Sequence, residues 1–420
     1  MLDIAFIRNN AAAVAEAARV KGMRVDLDRI LALDAALRRD KTRLEALRAE
    51  RNRITAQFSG GSASLRMAGA ERSRAIAGEL SALQAHAGET EQVLRDLLMA
   101  VPNLPWRGAP VGPDEKSNRV VRTVGDRPDF AFAPLDHVAI AERHGWINQA
   151  RIARIAGARS YVLKGRLALL EQALLFDTSR RLAREGFQPI SVPALVRGEA
   201  FVNTGHFPFA REDTFELPRD GLYLAGTAEI ALTGLHGGEI IEERDLPLLY
   251  AGLSPCFRRE AGSGGRDVRG LLRVHQFYKV EQYVICRDDP EESAYWHARL
   301  LANAETILQA LGLPYQVVEC STGDMGPGKV RMNDIETWVP SLGRYRETHS
   351  CSSLHEWQAR RANIRWRDRL GQVRFCHTLN NTAIATPRIL VPLIENHQTP
   401  QGQVRVPAFL RTYLDGEELL

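Results

Sequence analysis

From Ile30 onward, apolar side chains return every three or four residues: Ile30, Leu33, Leu37, Leu44, Leu47, Ile54 and Phe58. Asp40 and Arg51 fill the two remaining slots of the repeat. The pattern stops at Ser59-Gly60-Gly61-Ser62 and resumes with Ile76, Leu80, Leu83, Ala87, Leu94, Leu97 and Val101, Thr90 taking its polar slot. An apolar residue every 3.5 positions keeps one stripe of a helix turned toward a partner helix. Two such segments around a Gly/Ser break predict two long helices folded back as an antiparallel coiled coil. An arm of about 30 residues per helix reaches roughly 45 Å.

The stretch Pro102-Asn-Leu-Pro-Trp-Arg-Gly-Ala-Pro-Val-Gly-Pro113 interrupts helix repeatedly. It divides the chain into a helical domain, residues 1–110, and a second domain, residues 111–420. Beyond it the spacing turns irregular. Leu167 to Arg184 reads as an amphipathic helix and Phe187 to Val196 as a strand carrying Pro193. Period-2 alternation then marks a pair of strands between residues 254 and 284. On the first, Ser254, Cys256, Arg258 and Glu260 point one way. On the second, Arg273, His275, Phe277, Lys279, Glu281 and Tyr283 share a face, with Val274, Tyr278, Val280 and Val284 on the other. A glycine-rich loop bearing arginines joins them. A guanidinium for phosphate, a carboxylate for an amino group and an aromatic ring for a base make such a face a floor for a nucleotide.

Composition narrows the classes. At 420 residues the chain exceeds what one core usually fills, and its net charge of +4 permits an anionic partner without requiring one. The five cysteines form no C-x-x-C pair, which argues against a disulfide framework and against a cysteine-bound zinc. No signal-peptide core and no membrane-length apolar run is present, so a cytoplasmic protein with no membrane partner is expected. Charge on the arm is uneven: ten Lys/Arg against four acids between Arg38 and Arg74. A basic helical arm suits the phosphate backbone of a long RNA.

Three further segments carry chemistry. Thr227-Ala228-Glu229 places a hydroxyl and a carboxylate around a small residue. Glu347-Thr348-His349-Ser350 packs a carboxylate and hydroxyls as an oxygen-ligated Mg²⁺ needs, whereas His349 and Cys351 lack partners for zinc. In Asn380-Asn381-Thr382 to Arg388, Thr386 is read as an N-cap, Pro387 as the first helical residue and Arg388 as a first-turn cation for an anion.

In order, Phe257-Arg258-x-Glu260, the glycine-rich loop, and Arg273-x-His275-Gln-Phe277-x-Lys279-Val-Glu281 resemble the second signature motif of class II aminoacyl-tRNA synthetases, in its seryl form. The helix–strand–proline unit is similar to the first motif and the segment to Arg388 to the third. Its loop departs from the common seryl form: Asn381-Thr382 replaces Gly-Ser, and Pro387 replaces a glycine. The resemblance runs the length of the chain, arm included.

It implies an α+β fold, with an antiparallel class II catalytic sheet flanked by helices and a coiled-coil arm. It implies ATP, L-serine and tRNA(Ser) as partners, tRNA(Sec) where that exists, Mg²⁺ as cofactor, no zinc, and a homodimer built on the first motif. Arg258, Arg388 and Glu347 are the expected catalytic residues. The ATP set is Arg258, Arg259, Glu260, Arg273, Val274, Phe277, Glu347, Thr348, His349, Ser350 and Arg388, with Glu347 and Ser350 on Mg²⁺. Thr227, Ala228, Glu229, Arg258, Glu281, Asn380 and Thr382 form the serine set. Arg38, Arg43, Arg48, Arg51, Arg53 and Arg72 are the expected tRNA contacts. Two rivals stand beside this reading: a paralogue loading a carrier other than tRNA, which in the family lacks the arm, and a non-catalytic synthetase-like binding protein.

Overall fold

The structure, a computed structural model, describes residues 1–58, 63–262 and 270–420. The Gly/Ser turn at 59–62 and most of the arginine-bearing loop, 263–269, lie outside the described residues, as does the side chain of Arg66. The chain forms two compact units, Met1–Pro102 and Asn103–Leu420.

In the first unit, α1 (Leu27–Phe58) and α2 (Ala63–Met99) are the two heptad segments. Their seam is the predicted one over most of its length: Ile30, Leu37, Leu44 and Leu47 are buried with Ile76, Leu80, Ala87, Thr90 and Leu94. Antiparallel order is written in the cross-helix ion pairs, Arg72–Glu50 at 2.9 Å, Arg43–Glu79 at 3.5 Å and Lys41–Glu91 at 3.2 Å. Two positions depart from the repeat. Arg51 is exposed despite its seam slot, since a guanidinium cannot be left dry without a partner. Leu98 is buried instead of Leu97, which is half-buried.

The second unit is built on one eight-stranded sheet, β1 (Arg119–Val124), β2 (Gln188–Ser191), β3 (Leu248–Phe257), β4 (Gln276–Cys286), β5 (Tyr315–Glu319), β6 (Arg331–Val339), β7 (Arg344–His355) and β8 (His377–Thr386). Their order is β1-β5-β6-β7-β8-β4-β3-β2. Every neighbouring pair is antiparallel except β2 with β3. The strand expected over 187–196 ends at Ser191 and a separate short strand runs Leu195–Arg197, because Pro193 has no N–H to continue a ladder.

Alternation sorts the two faces of the sheet. Val280 and Val284 of β4 and Leu379 of β8 enter the main core, together with Leu170 and Leu174 of α3 (Arg166–Arg184) and Leu300 and Leu308. The opposite face carries Tyr283, packed with Ala228 and Leu232 of α4 (Ala228–Leu235). Leu300 and Leu308 belong to α5 (Pro290–Ala310), capped by Asp289. Two shorter helices complete the frame of the site, α6 (Trp357–Ala362) and α7 (Leu390–Asn396). No helix among the described residues is long and apolar enough to cross a membrane.

Candidate functional site

The polar face of the sheet holds two cavities that share a wall. One is lined by Arg258, Glu260, Val274, Phe277, Thr348 and Arg388, among others. The second, of about 370 Å³, is lined by Thr227, Glu229, Glu281, Ser350, Asn380 and His206, among others. Arg258, Lys279, Glu347 and Thr382 line both.

Register brings these residues together from distant parts of the sequence. Cys256 pairs with Phe277, Ser254 with Lys279 and Thr382 with Glu281. On β7, Glu347 and Ser350 are three apart and would lie on opposite faces of a regular strand. The β6–β7 register slips between Ile335 and Glu336, which face His349 and Glu347. Thr348 is the extra residue, and this bulge turns Glu347 and Ser350 toward one cavity. His349 stabilises the neighbouring irregularity in β8, its Nε2 lying 3.1 Å from Ala383 O and its Nδ1 2.9 Å from Thr348 Oγ1.

Arg258 and Glu260 lie just past the end of β3. The backbone N–H of Arg258 donates to His275 O at 2.9 Å, and that of Phe257 to Ala225 O at 2.9 Å. The Arg258 guanidinium sits 5.2 Å over the Phe277 ring. Glu260 adopts a left-handed conformation, φ 55°, and its carboxylate is paired with Arg273 at 2.5 Å. Arg388 donates from Nε to Leu272 O at 3.1 Å and from Nη1 to Glu347 O at 3.2 Å. Its setting differs from the expected helix start. Thr386 is the last residue of β8, Pro387 follows it through a cis peptide, and α7 begins only at Leu390. The strand ladder holds Thr386 extended, so Arg388 reaches the cavity from a turn and without help from a helix N-terminus.

In the second cavity Thr227 caps α4, accepting from Glu229 N. The carboxylate of Glu229 receives two amides at Oε1, from Asn380 Nδ2 at 2.9 Å and from Gln358 Nε2 at 2.6 Å. Glu281 is buried and closely ion-paired with Lys279. Burial pushes the Glu281 carboxyl above its ordinary range, and Lys279 opposes the shift. The His206 imidazole is pushed down to about 3 by burial and then by Arg258, so it is a neutral wall at working pH. Among the described residues Ser350 Oγ is buried without a well-formed hydrogen bond. Opposite it in register, the Asp334 carboxyl is buried and raised, first by desolvation and then by Glu347. A hydroxyl and a carboxylate on one wall are hard oxygen donors suited to Mg²⁺. Among the described residues the one cluster of three metal-capable side chains is Cys320, Asp324 and Asp334. Its Asp324 accepts from Asn118 Nδ2 at 2.9 Å, and burial drives the Cys320 thiol far up.

Most of the expected set converges here, but four side chains do not line either cavity. Arg259 runs out to Glu212 O at 3.3 Å, the His349 ring lies inside the sheet, and the Ala228 side chain is in the core under Tyr283. Arg273 stays one residue back, on Glu260. On the arm, Arg48, Arg51 and Arg53 are exposed, while Arg38 is tied to Asp34, Arg43 to Glu79 and Arg72 to Glu50. Two participants were not assigned from the sequence. Lys279 was placed on the right face by alternation yet given no role. Gln358 had no signal, because it reaches Glu229 from behind.

Residues 214–397 match the tRNA synthetase class II core domain (G, H, P, S and T), and residues 1–105 match the seryl-tRNA synthetase N-terminal domain. The chain is 53% identical to the serine–tRNA ligase of Deinococcus radiodurans, covering all of this chain and 99% of that one. It is 40% identical to the serine–tRNA ligase of Pseudomonas fluorescens over the whole of both. Among solved structures, seryl-tRNA synthetase from Pyrococcus horikoshii complexed with ATP superimposes with a TM-score of 0.93 at 37% identity, covering 100% of this chain and 99% of that one.

Proposed function

The chain belongs to the seryl-tRNA synthetase family, and on that premise we propose how its two cavities divide the reaction. It is an ATP-dependent ligase that activates L-serine as seryl-adenylate, releases pyrophosphate and transfers serine to tRNA(Ser). The carrier-loading and non-catalytic alternatives are not favoured, since the seryl N-terminal domain is matched and the serine–tRNA ligase relatives align over the full chain.

The observation that carries the division of labour is the shared wall of Arg258, Lys279, Glu347 and Thr382. A condensation of two substrates needs adjoining subsites meeting at the reacting atoms. In our reading ATP occupies the first cavity. Phe277 stacks on the base, Glu260 accepts from the adenine amino group, Arg258 holds the α-phosphate, and Arg388 with Arg273 neutralises pyrophosphate. Glu347 and Ser350 would hold Mg²⁺, which when bound draws negative charge off the phosphates. Serine takes the second cavity, its ammonium group toward Glu229 and Glu281 and its side chain against Thr227 and Thr382.

The serine carboxylate is already a nucleophile, so no general base is required. One of its oxygens bonds to the α-phosphorus as the bond to pyrophosphate breaks. A hydroxyl of the 3′-terminal ribose then attacks the carbonyl carbon, the acyl–phosphate bond breaks, and AMP departs with the hydroxyl's proton passing to its phosphate. Catalysis rests on positioning and on positive charge held where negative charge builds up. Alanine lacks the hydroxyl that buried polar groups would bind and leaves them unpaired, which rejects it strongly.

The arm, residues 1–110, is the tRNA-binding domain in this reading and residues 111–420 the catalytic domain. Exposed Arg48, Arg51 and Arg53 are its best-placed phosphate contacts. A homodimer is supported by the large apolar groove of about 1320 Å³ beside α3 and β2, where Phe176 is half exposed. ATP–pyrophosphate exchange across all amino acids, followed by transfer of the best one to total tRNA, tests the activity. Serine-dependent exchange with stable acylation is expected, and exchange with another amino acid or with none would refute it.

A further inference from the structure

Behind the amino-acid cavity, α6 turns a fully buried glutamine toward its floor. Gln358 has no solvent exposure and uses both ends of its amide. Nε2 donates to Glu229 Oε1 at 2.6 Å and to Thr204 O at 3.1 Å, while Oε1 accepts from Thr378 Oγ1 at 2.7 Å. This pattern fixes which end is nitrogen: an inverted amide would set its carbonyl oxygen against Glu229 and Thr204 O, three acceptors with no proton among them. Asn380 Nδ2 reaches the same Glu229 oxygen at 2.9 Å. The other oxygen, Oε2, accepts no hydrogen bond among the described residues, and Glu229 lines the cavity.

The neighbouring residue bears on the same walls. Trp357 is buried to 1% exposure, and its ring abuts Gly205 and Gly328. A Cβ on Gly205 would lie 2.1 Å from Trp357 Cζ3, and one on Gly328 2.5 Å from Cε3. Both glycines also line the amino-acid cavity. One short helix therefore backs the cavity at three places without lining it through Gln358 itself.

We propose that Gln358 is a positioning residue for amino-acid recognition: its amide clamps one oxygen of Glu229 and thereby presents the other to the ammonium group of the substrate. Two amide donors on one oxygen fix the plane of the carboxylate, so its other oxygen is aimed before substrate arrives. The inference rests on reading this cavity as the serine site. Gln358 lines neither cavity, so its effect passes entirely through Glu229.

The test is serine-dependent ATP–pyrophosphate exchange by the full chain, with thermal melts alongside. Gln358→Met removes the clamp at similar volume. A charge-assisted hydrogen bond lost at this oxygen should raise the serine KM roughly ten- to hundredfold, with the ATP KM and kcat within about twofold. Gln358→Glu guards against a variant that fails to fold, since it keeps the acceptor for Thr378. In its protonated form it donates to Glu229 as the amide does; ionised, it repels Glu229. Its serine KM should approach the wild-type value in mild acid and rise with pH, a step the wild type lacks. An unchanged serine KM in the Met variant overturns the proposal, as does a pH-independent Glu variant. So do serine and ATP KM values rising together with a lowered melting temperature, which mark a scaffold role. If the wild type itself shows no serine-dependent exchange, the reading of the cavity fails instead.

Discussion

Replacing Arg258 with alanine tests the junction of the two cavities directly. The side chain lines both, lies over Phe277 at 5.2 Å, and among the described residues makes one long hydrogen bond to backbone, 3.5 Å to Gly226 O. Little of the fold therefore depends on it, and the guanidinium is available for an anion. A unit charge about 4 Å from a phosphate oxygen, in surroundings of effective dielectric near 20, contributes about 4 kcal/mol. That corresponds to a loss of about 10³ in kcat/KM for exchange. Arg258→Lys keeps the charge but loses the planar fork, so it should recover part of the loss and stay at least about tenfold below wild type. The assay is serine-dependent ATP–pyrophosphate exchange, with a melt of each variant to show that the fold is retained. An alanine variant within about tenfold of wild type would refute the assignment of Arg258 to the α-phosphate and the charge argument with it.

Three other outcomes are expected. Deleting residues 30–100 should leave amino-acid-dependent exchange in place and abolish tRNA aminoacylation; charging that survives would remove the arm from RNA binding. Gly328→Ala forces a Cβ to within 2.5 Å of the Trp357 ring. It should cost roughly 1–3 kcal/mol by overpacking, read as a lowered melting temperature, and an unchanged melt would mean the ring yields freely. The five cysteines are free and buried, and burial raises each thiol above its ordinary value. A thiol reagent at neutral pH should find almost none in the native protein and all five after denaturation; rapid native labelling would show that the core opens.

The arm was legible because coiled-coil packing repeats along the chain: each seam residue of α1 and α2 announces itself by its distance from the last. The strand pair was legible for the same reason, and alternation put Phe277, Lys279 and Glu281 on one face. What could not be read was anything set by register or by an irregularity. Glu347 and Ser350 share a cavity only because Thr348 bulges. Arg388 was given a helix start because Thr-Pro suits one, but the ladder of β8 claims Thr386 first. Arg51 fitted the repeat by position, and its charge overrode the position. Gln358 is 129 residues from Glu229 in the chain, and no local pattern links the two.

The common wall has a thermodynamic meaning. Because Arg258, Lys279, Glu347 and Thr382 belong to both cavities, the two substrates cannot bind as independent guests. Whatever factor bound ATP applies to the dissociation constant of serine, bound serine must apply to that of ATP. Altering a side chain in the wall moves both constants and the coupling between them. Altering Gln358, on the far side of Glu229, moves one constant and leaves the coupling where it was. A double titration of the two ligands thus separates the partition between the subsites from their outer walls.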